Sequence, residues 1–214
     1  MEYVENQQNA KITLAIIEAI HENAAYLSEI DGATGDGDHG VNMDKGFMMA
    51  KDRIQEDMDL SESLKVLGRT LVMDIGGSMG PIYGRMFSKM AKIFSQNNQI
   101  NKLTLYQALN CANEGLMDLA GAKPGDKTLI DCLNNVVVDY ELVLDEDKPF
   151  TECLNVMYES AEAGKENTKN LVAKIGRAAR LGERSKGFLD AGATSCCIIL
   201  KTLASAMSED VASE

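Results

Sequence analysis

The chain has 214 residues, of which 45% are hydrophobic, and a formal net charge of −12. That size fits one domain with a sizeable core, and the acidity argues against nucleic acid as a partner, since phosphate-backbone binding needs basic clusters. It does not exclude a nucleotide, because divalent cations neutralise carboxylate and phosphate together.

From Lys11 to Ile30 the apolar residues Ile12, Leu14, Ile16, Ile17, Ile20, Ala24, Leu27 and Ile30 recur at three- and four-residue steps, which predicts one long helix. The pattern halts in the glycine- and aspartate-rich stretch from Asp31 to Gly40. It resumes from about Val41 to Ile54 and again, with Ser61 as N-cap, to about Met73. A second glycine cluster, Gly76-Gly-Ser-Met-Gly80, precedes Pro81 and a helix to Phe94; proline suits a first helical turn, where its missing N–H costs nothing. Thr104 to about Leu119 reads as helix, Gly121 to Lys127 as a loop, and Thr128 to Leu144 as helix despite the β-branched run from Val136 to Val138. Thr151 caps a predicted helix reaching Gly164, and Thr168 to Leu181 reads as another. The polar segment Gly182 to Gly187 follows, then a last helix from Asp190 to Met207.

These roughly eight or nine helices with short links predict an all-α protein, an up-and-down antiparallel bundle. Aromatics make up only 5% of the chain and tryptophan is absent, so aliphatic side chains and the twelve methionines, Met43, Met48 and Met49 among them, must fill the core. No linker divides the chain, so one domain over 1–214 is expected, with 1–8 and 208–214 frayed. In such a bundle every second loop lies at the same end, which lets the loops at 31–40, 76–81, 121–127 and 182–192 converge. The five cysteines (Cys111, Cys132, Cys153, Cys196 and Cys197) are scattered without CxxC spacing, and Cys196-Cys197 reads as core packing. A reduced, cytoplasmic location is expected. Neither a charged-then-apolar leader nor a run of about twenty apolar residues is read, so no membrane partner is expected.

The sharpest chemical signal is Asp31, Asp36 and Asp38 among glycines. Carboxylates held so close repel one another unless cations sit between them, and hard oxygen ligands suit Mg²⁺ or Ca²⁺. An EF-hand fails, because Gly40 and Phe47 stand where its fifth and twelfth positions would fall counting from Asp36. A solvated acidic turn is the plain alternative. His39-Gly40-Val41-Asn42 opens the next helix, whose N–H groups and dipole can hold phosphate; a capping or packing histidine is the competing view of His39. Gly76 to Pro81 fits an anion nest or a close helix–helix turn, and is neither a Walker loop nor a dinucleotide fingerprint. Arg177, or Arg180 with Arg184, can face phosphate or simply solvent. Asp190 reads as an N-cap.

Five motifs, GDGDHG, GGSMGPIYG, GAKPGDKT, GRAARLGERSKG and DAGATS, stand in the order and spacing of the L-subunit family of bacterial dihydroxyacetone kinases. The chain resembles that family from Asp31 to about Leu203. The resemblance implies a closed barrel of about eight amphipathic antiparallel helices, with ADP or ATP held by the loops at one end. It implies that Asp31, Asp36 and Asp38 ligate a pair of Mg²⁺ ions bridging the phosphates, and that His39, Gly40, Val41 and Asn42 contact ADP. Gly77, Ser78 and Met79 fall on its phosphate loop, and Gly121, Leu129, Arg177, Asp190, Ala191 and Gly192 surround the nucleotide, with Leu129 near the adenine.

The resemblance further implies transfer of a phosphoryl group to dihydroxyacetone held by a histidine on a separate K subunit. The bound ADP would be recharged by a phosphohistidine donor protein of the phosphotransferase system. No residue of this chain is required as a general base, which accords with catalysis by positioning and electrostatics; His39 and Arg177 are the phosphate-orienting candidates. Two departures from the family bear on nucleotide affinity: Met79, where Ser or Thr is frequent, and Ala191, where Pro is frequent. Two rival readings are an enzyme exchanging free ATP, for this or another substrate, and a nucleotide-sensing module docking on a transcriptional regulator.

Overall fold

The computed structural model describes residues 2–213. A short strand β1 (Glu2–Glu5) leads into α1 (Ala10–Glu22), α2 (Ala24–Gly32), α3 (His39–Lys51), α4 (Leu60–Asp74) and α5 (Met79–Phe94). The strand β2 (Gln99–Ile100) follows, then α6 (Lys102–Ala120), α7 (Leu129–Asp145), α8 (Phe150–Asn167), α9 (Ala191–Glu209) and a last strand β3 (Ala212–Ser213). From α3 onward each helix packs on the next, and α9 returns to α1, which in turn packs on α3 and α4. The ring is closed, and one hydrophobic cluster fills it, running from Val4 to Met207. Phe47 of α3 meets Phe87 of α5 edge to face, ring centroids 5.9 Å apart. Met43, Met86, Met90, Met157 and Met207 are buried, and Met48 and Met49 lie against the cluster; Met73 is exposed.

Three sequence expectations need correction. The helix expected from Lys11 to Ile30 is two helices. At Asn23 the backbone leaves the helical region and the side-chain amide donates to the Ala19 carbonyl at 2.8 Å, the local competition that lets asparagine break helices. The helix expected from Thr168 to Leu181 does not form; that stretch holds a turn at Thr168–Asn170, an extended run, and a 3₁₀ segment Arg177–Ser185 kinked at Gly182. Tertiary hydrogen bonds take over its backbone: the Ala173 N–H donates to Ser185 Oγ (2.9 Å) and the Lys174 N–H to the Asp126 carbonyl (3.1 Å). Of the ends expected to fray, the described residues 2–8 and 208–213 are ordered, since β1 pairs antiparallel with both β2 and β3. Met1 and Glu214 lie outside the described residues.

The caps shift slightly. Asp59 with Glu62, rather than Ser61, closes the start of α4, and α8 starts directly after Pro149, ahead of Thr151. Thr128 with Asp131 caps α7 as a capping box. Helix α9 reaches a bilayer-spanning length with a mean hydropathy of 1.3, yet 61% of that window is buried against the other helices, as befits a core helix.

Candidate metal and phosphate site

Because the helices alternate in direction, the links at 33–38, 75–78, 121–128 and 168–190 share one end of the barrel, and α3, α5, α7 and α9 all begin there. Hydrogen bonds tie these starts together. His39 Nε2 of α3 lies 2.8 Å from Ser195 Oγ of α9. Tyr83 of α5 donates its hydroxyl to the Gly192 carbonyl at 3.0 Å and meets Ser195 Oγ at 2.5 Å. Gly192 in turn lies against Leu129, at the first turn of α7. Four helix N-termini therefore bring their positive dipole ends to one end of the barrel, which favours an anion.

Against that positive frame stands the acidic triad. Asp31 sits on the last turn of α2 and Asp36 and Asp38 on the link to α3, with carboxylate oxygens all within 4.8 Å of one another. Asp31 lies at the negative end of its helix, an unfavourable place for a carboxylate, and its Oδ2 accepts the His39 N–H at 3.3 Å. Asp38 occupies the N-cap position of α3 but makes no capping bond with its side chain. It faces Arg177, whose Nη1 is 3.7 Å from Asp38 Oδ2 and pairs still more closely with Asp36. One guanidinium against three carboxylates leaves two negative charges. The donor set is all hard oxygen, clustered and half-exposed, and fits a divalent ion such as Mg²⁺.

The surrounding residues set the geometry. Gly40 is buried where a Cβ would stand 1.9 Å from the Ala24 carbonyl oxygen, so only glycine lets α3 start this close to α2. Gly77 holds φ +75° in the exposed turn before α5, and Ser78 precedes that helix without capping it by its side chain. Met79 is partly buried on the core, and Gly121 ends α6 at φ +60°. Val41 is exposed and Leu129 is buried. Asp190 caps α9, accepting the Ala193 N–H at 2.8 Å; burial pushes its carboxyl up to about 6, with Asp131 and Asp31 adding repulsion. Burial also lowers the His39 imidazole, against the pull of Asp31, which favours a neutral ring.

The structure thus brings together the three aspartates, His39, Arg177, Leu129 and the turn at 190–192. Gly77, Ser78, Met79 and Gly121 stand at the same end without a direct bond to the triad. Arg177, rather than Arg180 or Arg184, is the arginine that reaches it. Sequence reasoning missed Tyr83 and Ser195, which link three helix starts, and Lys127, buried in the link before α7. A lysine inside a glycine- and aspartate-rich stretch was the available signal for Lys127, and the other two stand inside the motifs GGSMGPIYG and DAGATS.

A closed helical barrel with an acidic, oxygen-rich cluster beside several helix N-termini defines a class of all-α domain suited to phosphate and hard cations. The chain belongs to the DAK2 domain family, whose model matches residues 33–205. It is 33% identical, over 86% of its length and 89% of the relative's, to the ADP-binding subunit DhaL of the PEP-dependent dihydroxyacetone kinase of Escherichia coli K12. With the corresponding subunit of the PTS-dependent enzyme of Lactococcus lactis it shares 36% identity over 87% of its length and 90% of the relative's. Among solved structures, dihydroxyacetone kinase from C. freundii in complex with AMP-PNP and Mg²⁺ superposes with a TM-score of 0.68 at 23% identity. That match covers 92% of this chain and 33% of the other, and establishes the fold.

Proposed function

We propose that this chain is the nucleotide-carrying subunit of a dihydroxyacetone kinase of the phosphoenolpyruvate-dependent type, handing a phosphoryl group from its bound nucleotide to dihydroxyacetone held on a separate subunit. The observation that carries this reading is the placement of Asp31, Asp36, Asp38 and Arg177 where the starts of α3, α5, α7 and α9 meet. Helix starts bind phosphate oxygens, the arginine can orient them, and the triad supplies ligands for cations.

Mg²⁺ bound by Asp31, Asp36 and Asp38 would neutralise phosphate oxygens as charge shifts between them. The chain's own residues do the rest. The first-turn N–H groups from His39 to Asn42 and around Gly77 to Met79 cradle the phosphates, while Arg177 turns from the carboxylates towards the phosphoryl oxygens. Neutral His39, held by Ser195, presents a fixed polar edge. Leu129 and the turn at 190–192 wall the base, and Gly121 leaves room beside it. Transfer then proceeds by positioning and electrostatic stabilisation.

The partners under this reading are a dihydroxyacetone-binding K subunit and a phosphohistidine donor protein; docking on a transcriptional regulator is a separate use of the same nucleotide state. Reconstitution with a phosphohistidine relay and a dihydroxyacetone-binding subunit tests it. Product formation should follow phosphoenolpyruvate with catalytic amounts of ADP. Turnover that needs stoichiometric free ATP would favour the exchanging-kinase reading.

A further inference from the structure

Lys127 is a buried charge that the reading above does not use. It is 1% exposed, and its Nζ donates to the carbonyl oxygens of Ser185 (2.7 Å), Phe188 (2.6 Å), Thr168 (2.8 Å) and Leu171 (3.3 Å). None of these partners is a carboxylate. Three ammonium N–H groups meet four carbonyls, a cage that suits a cation and leaves none of its donors unmade. Its backbone sits at φ +62°, a conformation that costs a non-glycine residue free energy and persists only where surroundings impose it.

All four carbonyls belong to the irregular segment 168–189, the one that carries Arg177 over the triad. They flank its two ends and gather them to one point, so Lys127 closes the segment into a loop. Asp126 ties the same loop from the neighbouring position: its carbonyl accepts the Lys174 N–H at 3.1 Å, and its carboxylate lies 3.3 Å from Lys174 Nζ. Two further ties hold the loop: the Ser185 hydroxyl accepts the Ala173 N–H and donates to the Gly182 carbonyl at 2.7 Å, and the Gly187 N–H donates to the Lys169 carbonyl at 2.8 Å across the two ends. Asp190, at the loop's exit, donates its backbone N–H to Thr168 Oγ1 at 3.1 Å. The ammonium thus gathers four carbonyls from both ends of the loop at one point, beside the Thr168–Asp190 bond at the start of α9.

We infer that Lys127 is a positioning residue, whose buried ammonium gathers the ends of the 168–189 loop and so fixes Arg177 over the acidic triad. This rests on the nucleotide reading only for its functional consequence; the anchoring itself does not. Lys127→Met keeps the length of the side chain and removes the donors. Trypsin reports the loop directly, because Lys174, Arg177, Arg180, Arg184 and Lys186 all lie in it. Cleavage there should accelerate at least about tenfold while the barrel helices stay protected and the helical circular dichroism persists.

Magnesium–ADP affinity should fall about tenfold in Lys127→Met and in Arg177→Met, and the double variant should lose no more than Arg177→Met alone, since one residue acts through the other. Where Lys127→Met does not fold, Ser185→Ala loosens the same loop without stranding the charge and should show the same two effects in smaller measure. A loop that stays protected in both variants, or affinity losses that add fully in the double variant, would overturn the inference. If the wild-type chain binds no ADP, the nucleotide reading fails, and the protease result still decides whether Lys127 anchors the loop.

Discussion

His39 Nε2 and Ser195 Oγ lie 2.8 Å apart although 156 residues separate them in the chain, and the same hydroxyl meets Tyr83 at 2.5 Å. This short polar chain, in which Tyr83 and Ser195 are buried and His39 partly so, joins the starts of α3 and α9 to the first turns of α5. Ser195→Ala strands the imidazole, while the phenol keeps the Gly192 carbonyl, so it should destabilise the fold by about 1–3 kcal/mol in urea denaturation, the usual cost of an unsatisfied buried partner. It should also weaken ADP binding through a looser His39. Tyr83→Phe, which leaves the Gly192 carbonyl its Ser195 hydroxyl donor, should cost less.

The triad predicts an inverse relation between stability and function. Asp31 repels its two neighbours and the end of its own helix. Asp31→Asn should therefore leave the chain no less stable in EDTA, and more stable by about 0.5–1 kcal/mol. Added Mg²⁺ should raise the melting temperature of the wild type and should not raise that of the variant. Asp36→Ala should abolish phosphoryl transfer with the circular dichroism largely intact; loss of both together would mark a structural metal instead.

Asp190 gives a pH prediction of definite sign. Its folded carboxyl titrates near 6 against an ordinary value of 3.8. Between these values the folded chain holds the proton more tightly than the unfolded one, so this group's contribution is fully present below about pH 4 and is lost as pH rises through about 6. Asp190→Asn keeps an N-cap of similar strength. The stability difference between variant and wild type should grow over that window and level off above it, by roughly 1–3 kcal/mol in denaturation series at fixed ionic strength. A difference that is flat with pH would contradict the burial argument.

Gly40→Ala should be among the most damaging single substitutions, because its Cβ would meet backbone rather than a yielding side chain. A loss of about 2–3 kcal/mol, with α3 displaced from α2, is expected in thermal or chemical melts.

The all-helical ring was legible because its signal is periodic: buried Ile12, Ile16, Ile17 and Ile20 repeat at helical steps, and the break at Asp31 to Gly40 is compositional. Alternation of short-linked helices then put the loops at 31–40, 76–81 and 121–127 at one end, and the loop at 182–192 joins them because the helix expected from Thr168 to Leu181 does not form. The stretch 168–189 was illegible for the opposite reason. Its residues have acceptable helix propensity, and what unwinds it is a distant ammonium and a serine hydroxyl, neither visible in local sequence. Asn23 shows the same limit at one residue, and the sheet joining both ends depends on pairings too short to leave a pattern. The triad was legible as residue types; residue type alone left Arg177, Arg180 and Arg184 open, the resemblance singled out Arg177, and the fold sets it against Asp36 and Asp38.

The most direct test is ADP binding by calorimetry, with Mg²⁺ and with EDTA, on the wild type and on Asp36→Asn. Tight binding that needs Mg²⁺ in the wild type, and falls at least about a hundredfold in the variant, is the predicted result, since both cation ligands and phosphate placement depend on that carboxylate. Equal ADP affinity in EDTA and Mg²⁺, unchanged by Asp36→Asn, would contradict the claim that the acidic triad holds the nucleotide's phosphates.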